Sequence, residues 1–334
     1  MDLSRFEGKK ILITGASGLI GSALVKTLVL HKGHKPVKII ALVRNEEKAR
    51  QIFFSLPQEN LEYLTCDVCD IKNENLGVDY IIHAASKTAS KDFVDEPVEV
   101  ILSALKGTES ILEFARTNKV KGFVYLSSME VYGTPSTDEK IYENSPSNIN
   151  TMKVRSSYPE AKRACECLCS AYAAEYGVPA KVVRLTQTFG EGVHYNDGRL
   201  FAELARCVIE GRDIILKTKG ETKRNYIYVA DAVNAILTVL LDGAVGEAYN
   251  AANEETYCSV YDMACMVAEK FGNGKSKVVV REDEDIAKLG YAPTLKMNLS
   301  TAKLQGLGWS ATVDLTQSFE GMIDFMKSNF TTNG

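Results

Sequence analysis

The run Ile11-Leu12-Ile13-Thr14-Gly15-Ala16-Ser17-Gly18-Leu19-Ile20-Gly21 restricts the fold of this chain more than any other stretch. A short apolar strand, Lys10 to Ile13, leads into it, and the pattern predicts a helix over Leu19 to Leu30 behind it. Between them the glycines stand at G-x-x-G-x-x-G spacing. Gly15 permits a tight turn, Gly18 lets backbone approach a pyrophosphate, and Gly21 lets the helix lie close to the strand. The helix start, with Ser17, Leu19 and Ile20 around it, offers free N–H groups to an anion. Glycine-rich turns are common, but here strand, turn and helix come in the order a dinucleotide site requires.

The first half continues the alternation. Strands are predicted at Val37 to Val43, Leu61 to Thr65, Tyr80 to Ile82 (ending at His83), Gly122 to Leu126 and Ala180 to Leu185, with helices over Val98 to Thr117 and Ala161 to Tyr176. Such alternation gives a parallel sheet with helices on both faces, and near-continuous apolar strands fit burial on both sides. After about Leu185 the pattern loosens into loops rich in glycine and charge. The expected fold is therefore α/β: a Rossmann doubly wound parallel sheet with a smaller mixed α/β substrate lobe. The expected division is residues 1–185 plus about 225–253 for the Rossmann domain, and about 186–224 plus 254–330 for the lobe. Ligands in such sheets bind at the carboxyl ends of the strands, near the switch point.

Bulk properties exclude several classes. The chain has 334 residues, 45% hydrophobic and 25% charged, with net charge −4. No basic excess suits nucleic acid or a membrane surface. No run of about 18 apolar residues predicts a membrane span. Met1 to Lys10 is polar and runs straight into a strand, with no room for a signal peptide, so a cytoplasmic protein is expected. Eight cysteines show no disulfide spacing. Cys165, Cys167 and Cys169 are two apart on a helix and point in different directions, a poor chelate, so no metal is expected.

Chemistry concentrates at four places. Arg44 follows the second strand, where NAD binders usually place an acid; an arginine suits the extra phosphate of NADP, so NADP is favoured over NAD, and a solvated loop residue is the other reading. Asp67-Val68, after the third strand, would sit near the adenine, or Asp67 is a plain surface acid. Tyr158 and Lys162 stand four apart at a helix opening and so share a face. Of fifteen tyrosines only Tyr158 has a lysine four residues on. A phenol is too weak an acid to serve as base at neutral pH; a nearby ammonium and an oxidised nicotinamide favour the phenolate. Ser128, just past the fifth strand, can hydrogen-bond the reacting oxygen.

These features together resemble the extended short-chain dehydrogenase/reductases, in particular the NAD-dependent epimerase/dehydratase family. The likeness rests on the glycine triplet, His83-Ala84-Ala85-Ser86, Gly107-Thr108, Ser127-Ser128-Met129-Glu130-Val131-Tyr132-Gly133, the Tyr158/Lys162 pair and Leu307-Gly308-Trp309. Asn196-Asp197-Gly198-Arg199 is similar to a segment of UDP-glucuronate decarboxylases. Arg224 to Asp231 is similar to the stretch that nucleotide-sugar epimerases and dehydratases place under the substrate diphosphate. The resemblance implies cofactor contacts at Gly15, Gly18, Gly21, Asp67, Val68, Ala84, Ala85, Ser86, Tyr158 and Lys162. It also implies diphosphate contact by Arg224 and Arg199, and a homodimer formed through the two long helices. A guanidinium forks onto two phosphate oxygens, which agrees for Arg224. There are departures from the family pattern. Ala104 replaces an asparagine and Phe189 a tyrosine. Met129 stands where dehydratases place an aspartate, leaving Glu130 as the second acid or base. In Pro293 to Asn298, Lys296 is the sole cation where decarboxylases carry an arginine.

The expected activity is a nucleotide-sugar epimerase, oxidising a sugar hydroxyl transiently with bound NAD(P). The rivals are an NADPH-dependent carbonyl reductase of the dihydroflavonol and cinnamoyl-CoA reductase type, a decarboxylase or dehydratase of nucleotide sugars, and a non-catalytic protein that kept the fold.

Overall fold

Apolar residues of the first strands point alternately to two faces, and both are covered. On β1 (Lys10–Thr14), Ile11 and Ile13 join a core with α1 (Leu19–Val29) and α7 (Val229–Asp242), while Leu12 joins another with α4 (Pro97–Asn118) and α5 (Ser157–Tyr176). On β2 (Lys38–Val43), Ile39, Ala41 and Val43 take the first side, Ile40 and Leu42 the second. Each such buried aliphatic side chain contributes about 1.5–3 kcal/mol. The computed structural model describes residues 2–72, 74–282 and 294–330.

Seven parallel strands form the main sheet. β3 (Leu61–Thr65), β4 (Tyr80–His83), β5 (Gly122–Ser128), β7 (Ala180–Leu185) and β11 (Ala248–Ala251) join β1 and β2 in the order β3-β2-β1-β4-β5-β7-β11. This is a Rossmann sheet. The order reverses between β1 and β4, which opens a crevice at their carboxyl ends.

A second sheet, in the order β12-β10-β14-β6, is built from β6 (Lys140–Ile141), β10 (Lys223–Tyr228), β12 (Asn253–Ser259) and β14 (Lys296–Leu299), with β8 (Gln187–Phe189) paired to β10. β9 (Ile214–Leu216) and β13 (Val278–Val280) form a small pair. The remaining helices are α2 (Glu46–Ile52), α3 (Asp92–Asp95), α6 (Leu200–Glu210), α8 (Val260–Phe271), α9 (Ala302–Gln305) and α10 (Leu315–Phe330). α6, α8 and α10 close a third core around Phe189, Phe201 and Phe319.

Two local differences from the sequence reading have plain causes. α5 begins at Ser157, not Ala161. Its Pro159 lies in the first turn, where a missing N–H costs nothing. After Leu185 only α7 and β11 rejoin the main sheet, because β10 pairs with β8, β12 and β14. Among the described residues no helix is long and apolar enough to cross a membrane.

Candidate active site

At the crevice the glycines are fixed by crowding. Gly15 has φ +64°, and a Cβ there would lie 2.8–2.9 Å from the backbone of Ala84 and Ala85 at the end of β4. A Cβ on Gly21 would meet the Gly15 carbonyl at 2.2 Å. At Gly18, which caps α1, the nearest atom to a Cβ is the Gly15 carbonyl oxygen at 3.3 Å. No side chain caps that helix start, so its N–H groups can receive an anion. The cradle therefore fits a dinucleotide pyrophosphate. Arg44 is exposed beyond β2. Asp67 caps a turn over Val68–Asp70, accepting from the Cys69 N–H at 2.9 Å. Val68 packs on Gly107, where a Cβ would lie 2.7 Å from its Cγ1, so only glycine lets α4 come this near.

A buried polar chain runs behind the cradle. Thr14 Oγ1 accepts from the N–H groups of Ala84 and Ala85, both at 3.1 Å. With its lone pairs so used, its proton goes to His83 Nδ1 at 2.7 Å. That leaves Nε2–H to donate to Thr108 Oγ1 at 3.3 Å, and Thr108 donates to the Cys165 thiol at 3.2 Å. Burial, reinforced by the Lys162 charge, holds His83 neutral, its pKa pushed down to about 3. Its folded pKa is below the unfolded value, so its stabilising contribution is complete above pH 6.5 and is lost as pH falls towards 3. Acidifying from pH 7.5 to 5 should cost about 2 kcal/mol through this one group. His83→Gln should remove that pH-dependent part in urea melts at the two pH values, and an unchanged pH slope would rule the assignment out.

Tyr158 and Lys162 occupy the first two turns of α5, beside the end of β5. Tyr158 is 7% exposed, its ring stacked on Phe93 of α3 with centroids 4.2 Å apart. The Lys162 Nζ lies 5.8 Å from the Tyr158 ring and donates to the Leu126 carbonyl at 2.8 Å. Burial pushes the phenol well above its usual range, Glu130 adds to this, and a hydrogen bond with Ser128 opposes it. The same burial brings Lys162 down to about 8. In the chain by itself, burial therefore works against the phenolate. The reason is desolvation, which disfavours the phenolate at Tyr158 and the ammonium at Lys162 alike. Ser128 Oγ accepts from the Glu130 N–H at 3.2 Å.

A cleft of about 1040 Å³ opens beside the end of β5, lined in part by the second sheet. Glu130, Arg199 and Arg224 line it; Ser128, Tyr158 and Lys162 do not, though their neighbours Met129, Glu130 and Pro159 do. Glu130 is engaged, both oxygens accepting from Arg155 at 2.8 and 3.2 Å. Arg199 pairs with Asp197 at 2.7 Å and sits over Phe201. The Nε of Arg224 is buried without a hydrogen-bond partner among the described residues. Of the departures, Met129 is buried beside Thr186, Phe189 is stacked on Phe201, and Lys296 is paired with Asp138 at 2.6 Å. Pro293 lies outside the described residues. Cys165 and Cys169 are buried and Cys167 exposed. Among the described residues no cluster of three His, Cys, Asp or Glu could hold a metal.

Sequence reasoning missed Arg155 and Phe93, which carry no motif. It also missed a network at the base of the site. Arg184 of β7 pairs with Glu166 at 2.7 Å and donates to Tyr132 at 2.8 Å. Glu166 accepts from Ser127, and Tyr132 donates to Asn250 of β11 at 2.7 Å. A charge inside the apolar run Ala180 to Leu185 was the available signal.

Sheet order, glycine cradle and the Ser128, Tyr158 and Lys162 grouping are those of a Rossmann-fold short-chain dehydrogenase/reductase. The family model described as NAD dependent epimerase/dehydratase family matches residues 11–252, and the chain belongs to this family. It is an enzyme of the NAD-dependent epimerase/dehydratase type. Over 327 residues it is 28% identical to UDP-glucuronic acid decarboxylase 1 of Xenopus tropicalis, covering 97% of this chain and 74% of that protein. It is 25% identical to the human dTDP-D-glucose 4,6-dehydratase over 329 residues, 96% and 91% of the two chains. The fold is similar to that of UDP-glucuronic acid 4-epimerase from Bacillus cereus, solved in complex with NAD, at TM-score 0.76 and 20% identity, covering 96% and 99%.

Proposed function

We propose that this enzyme is a nucleotide-sugar epimerase that holds NAD(P) through the cycle. The observation that carries the reading is the cleft's charge. Among the described residues eight lysines and arginines line it against three carboxylates, in a chain of net charge −4. Such a surplus, gathered beside Tyr158, suits a diphosphate. Arg224, with its buried unpartnered Nε, and Arg199 are the residues proposed to grip it. Tyr158 takes the proton of a sugar hydroxyl, Ser128 holds that oxygen, and Lys162 supplies positive charge and a hold on the ribose. The nicotinamide supplies reversible hydride storage when bound. The cofactor's pyrophosphate would be held by Gly15, Ser17, Gly18, Leu19, Ile20 and Gly21, with Ala84, Ala85 and Ser86 alongside and Asp67 and Val68 towards the adenine. Arg44 favours NADP over the NAD found with the Bacillus cereus epimerase.

Dehydration is disfavoured because buried Met129 has no proton to give. Decarboxylation is disfavoured because Lys296 is spoken for by Asp138. A net reductase has no use for the Arg199 and Arg224 pair. We further infer the two-part division described from the sequence, a homodimer through α4 and α5, where Val98 and Leu102 are exposed, and a reducing cytoplasm, where eight unpaired cysteines are at home.

The deciding experiment is to denature the purified protein and identify the released nicotinamide by mass spectrometry, alongside incubation with UDP- and dTDP-sugars. Stoichiometric NAD or NADP with interconversion of sugar epimers is the expected result. An empty protein that consumes NADPH without forming epimers would replace this reading with the reductase.

A further inference from the structure

Glu130 and Arg155 form a two-point ion pair on the cleft wall, their side chains 18% and 22% exposed. The pair ties two separate parts of the site. Glu130 follows β5 in the turn after Ser128, and Arg155 precedes α5 in the turn before Tyr158. The Arg155 guanidinium also lies over the Phe93 ring, 5.7 Å from its centroid, and that ring is also stacked on Tyr158. The turn is anchored again by Ser157, which donates to the Phe93 carbonyl at 3.1 Å. One carboxylate and one guanidinium are therefore held in fixed register beside one buried phenol.

We propose that Arg155 is a positioning residue that, through Glu130 and Phe93, sets the net charge presented to the Tyr158 hydroxyl. The inference rests on Tyr158 being the acid–base group. In a largely desolvated site an unpaired carboxylate beside the phenol would oppose its ionisation strongly. Arg155, paired to that carboxylate, opposes its field, and the two groups act on Tyr158 in opposite directions. The other charged and titratable groups facing Tyr158 are Lys162, 5.8 Å from its ring on α5, and Tyr125 on β5. Neither contacts the pair in the way Phe93 and the Glu130 turn do. The arrangement lets a carboxylate stand at the site without disabling the phenol.

The test is a pH titration of the NAD-loaded protein, following tyrosinate absorbance and subtracting Tyr158→Phe so that the other tyrosines cancel. Arg155→Gln should raise the Tyr158 midpoint by about one pH unit, and Glu130→Gln should lower it by a similar amount. The double variant should return near the native value, and Arg155→Lys should stay close to it. A general structural role would move both single variants the same way or neither, and either pattern overturns the proposal. If Arg155→Gln does not fold, Glu130→Gln decides alone, an unmoved midpoint being the overturning result. Turnover of nucleotide sugars is read on the same samples. Opposed shifts without turnover remove the epimerase reading and keep this one, and turnover without opposed shifts does the reverse.

Discussion

Tyr158→Phe is expected to lower kcat by about 10²- to 10⁴-fold, the usual contribution of a positioned acid–base group. The substitution removes one oxygen and keeps the ring stacked on Phe93 at 4.2 Å, so the fold should survive. The dinucleotide should remain bound, because the Gly15 to Gly21 turn proposed to hold its pyrophosphate is untouched. The native pH profile should carry two limbs. Activity rises with pH as the phenol ionises, and falls as Lys162, brought down to about 8, loses its charge. Without cofactor the second event precedes the first, since burial pushes the phenol up. The positive charge of an oxidised nicotinamide, when bound, would favour the phenolate. Measured kcat for Tyr158→Phe within tenfold of native would remove Tyr158 from the chemistry.

Arg184→Met should destabilise the protein by about 3–5 kcal/mol, as breaking a buried ion pair usually does. The Arg184 and Glu166 side chains are only 15% and 12% exposed, so the orphaned carboxylate would find little water. Burial works against the charged guanidinium, yet the bonds from Glu166 outweigh it and hold Arg184 above its usual range. Tyr132 and the Glu143 carbonyl would lose their partner as well. Replacing both members, Arg184→Met with Glu166→Met, should recover most of the loss, since no unpaired charge remains. Urea melts of the single and double variants measure this. A single-variant loss below about 1 kcal/mol would mean that water reaches the pair.

Much of this was legible in the amino-acid order because the relevant physics is local. The turn at Gly15 and Gly21 needs a positive φ in one case and no side chain in the other, and only glycine meets both demands. Alternation of Ile11, Leu12 and Ile13 already implies two buried faces. Tyr158 and Lys162 share a helix face by spacing alone. What was hidden depends on residues far apart in the chain. Arg155 and Glu130, Tyr132 and Asn250, and Phe93 and Tyr158 meet only through tertiary packing, and no periodicity marks them. Asp231 was visible as the end of a motif. Its task of receiving the N–H groups of Thr312 and Val313, at 2.9 and 3.0 Å, was not. The burial that works against the phenolate of Tyr158 was hidden for a related reason: spacing shows the neighbouring lysine but not the depth of burial.

The second sheet has a consequence for engineering. Its neighbours run β12-β10-β14-β6, so β14, from residues 296–299, is wedged between strands that lie earlier in the chain. No contiguous stretch carries this lobe. A chimaera that grafts only residues 186–224 onto a related Rossmann half would bring just the first two residues of β10 and none of the other three strands of that path. This sheet is not a removable cassette: exchanging it means exchanging four separated segments together.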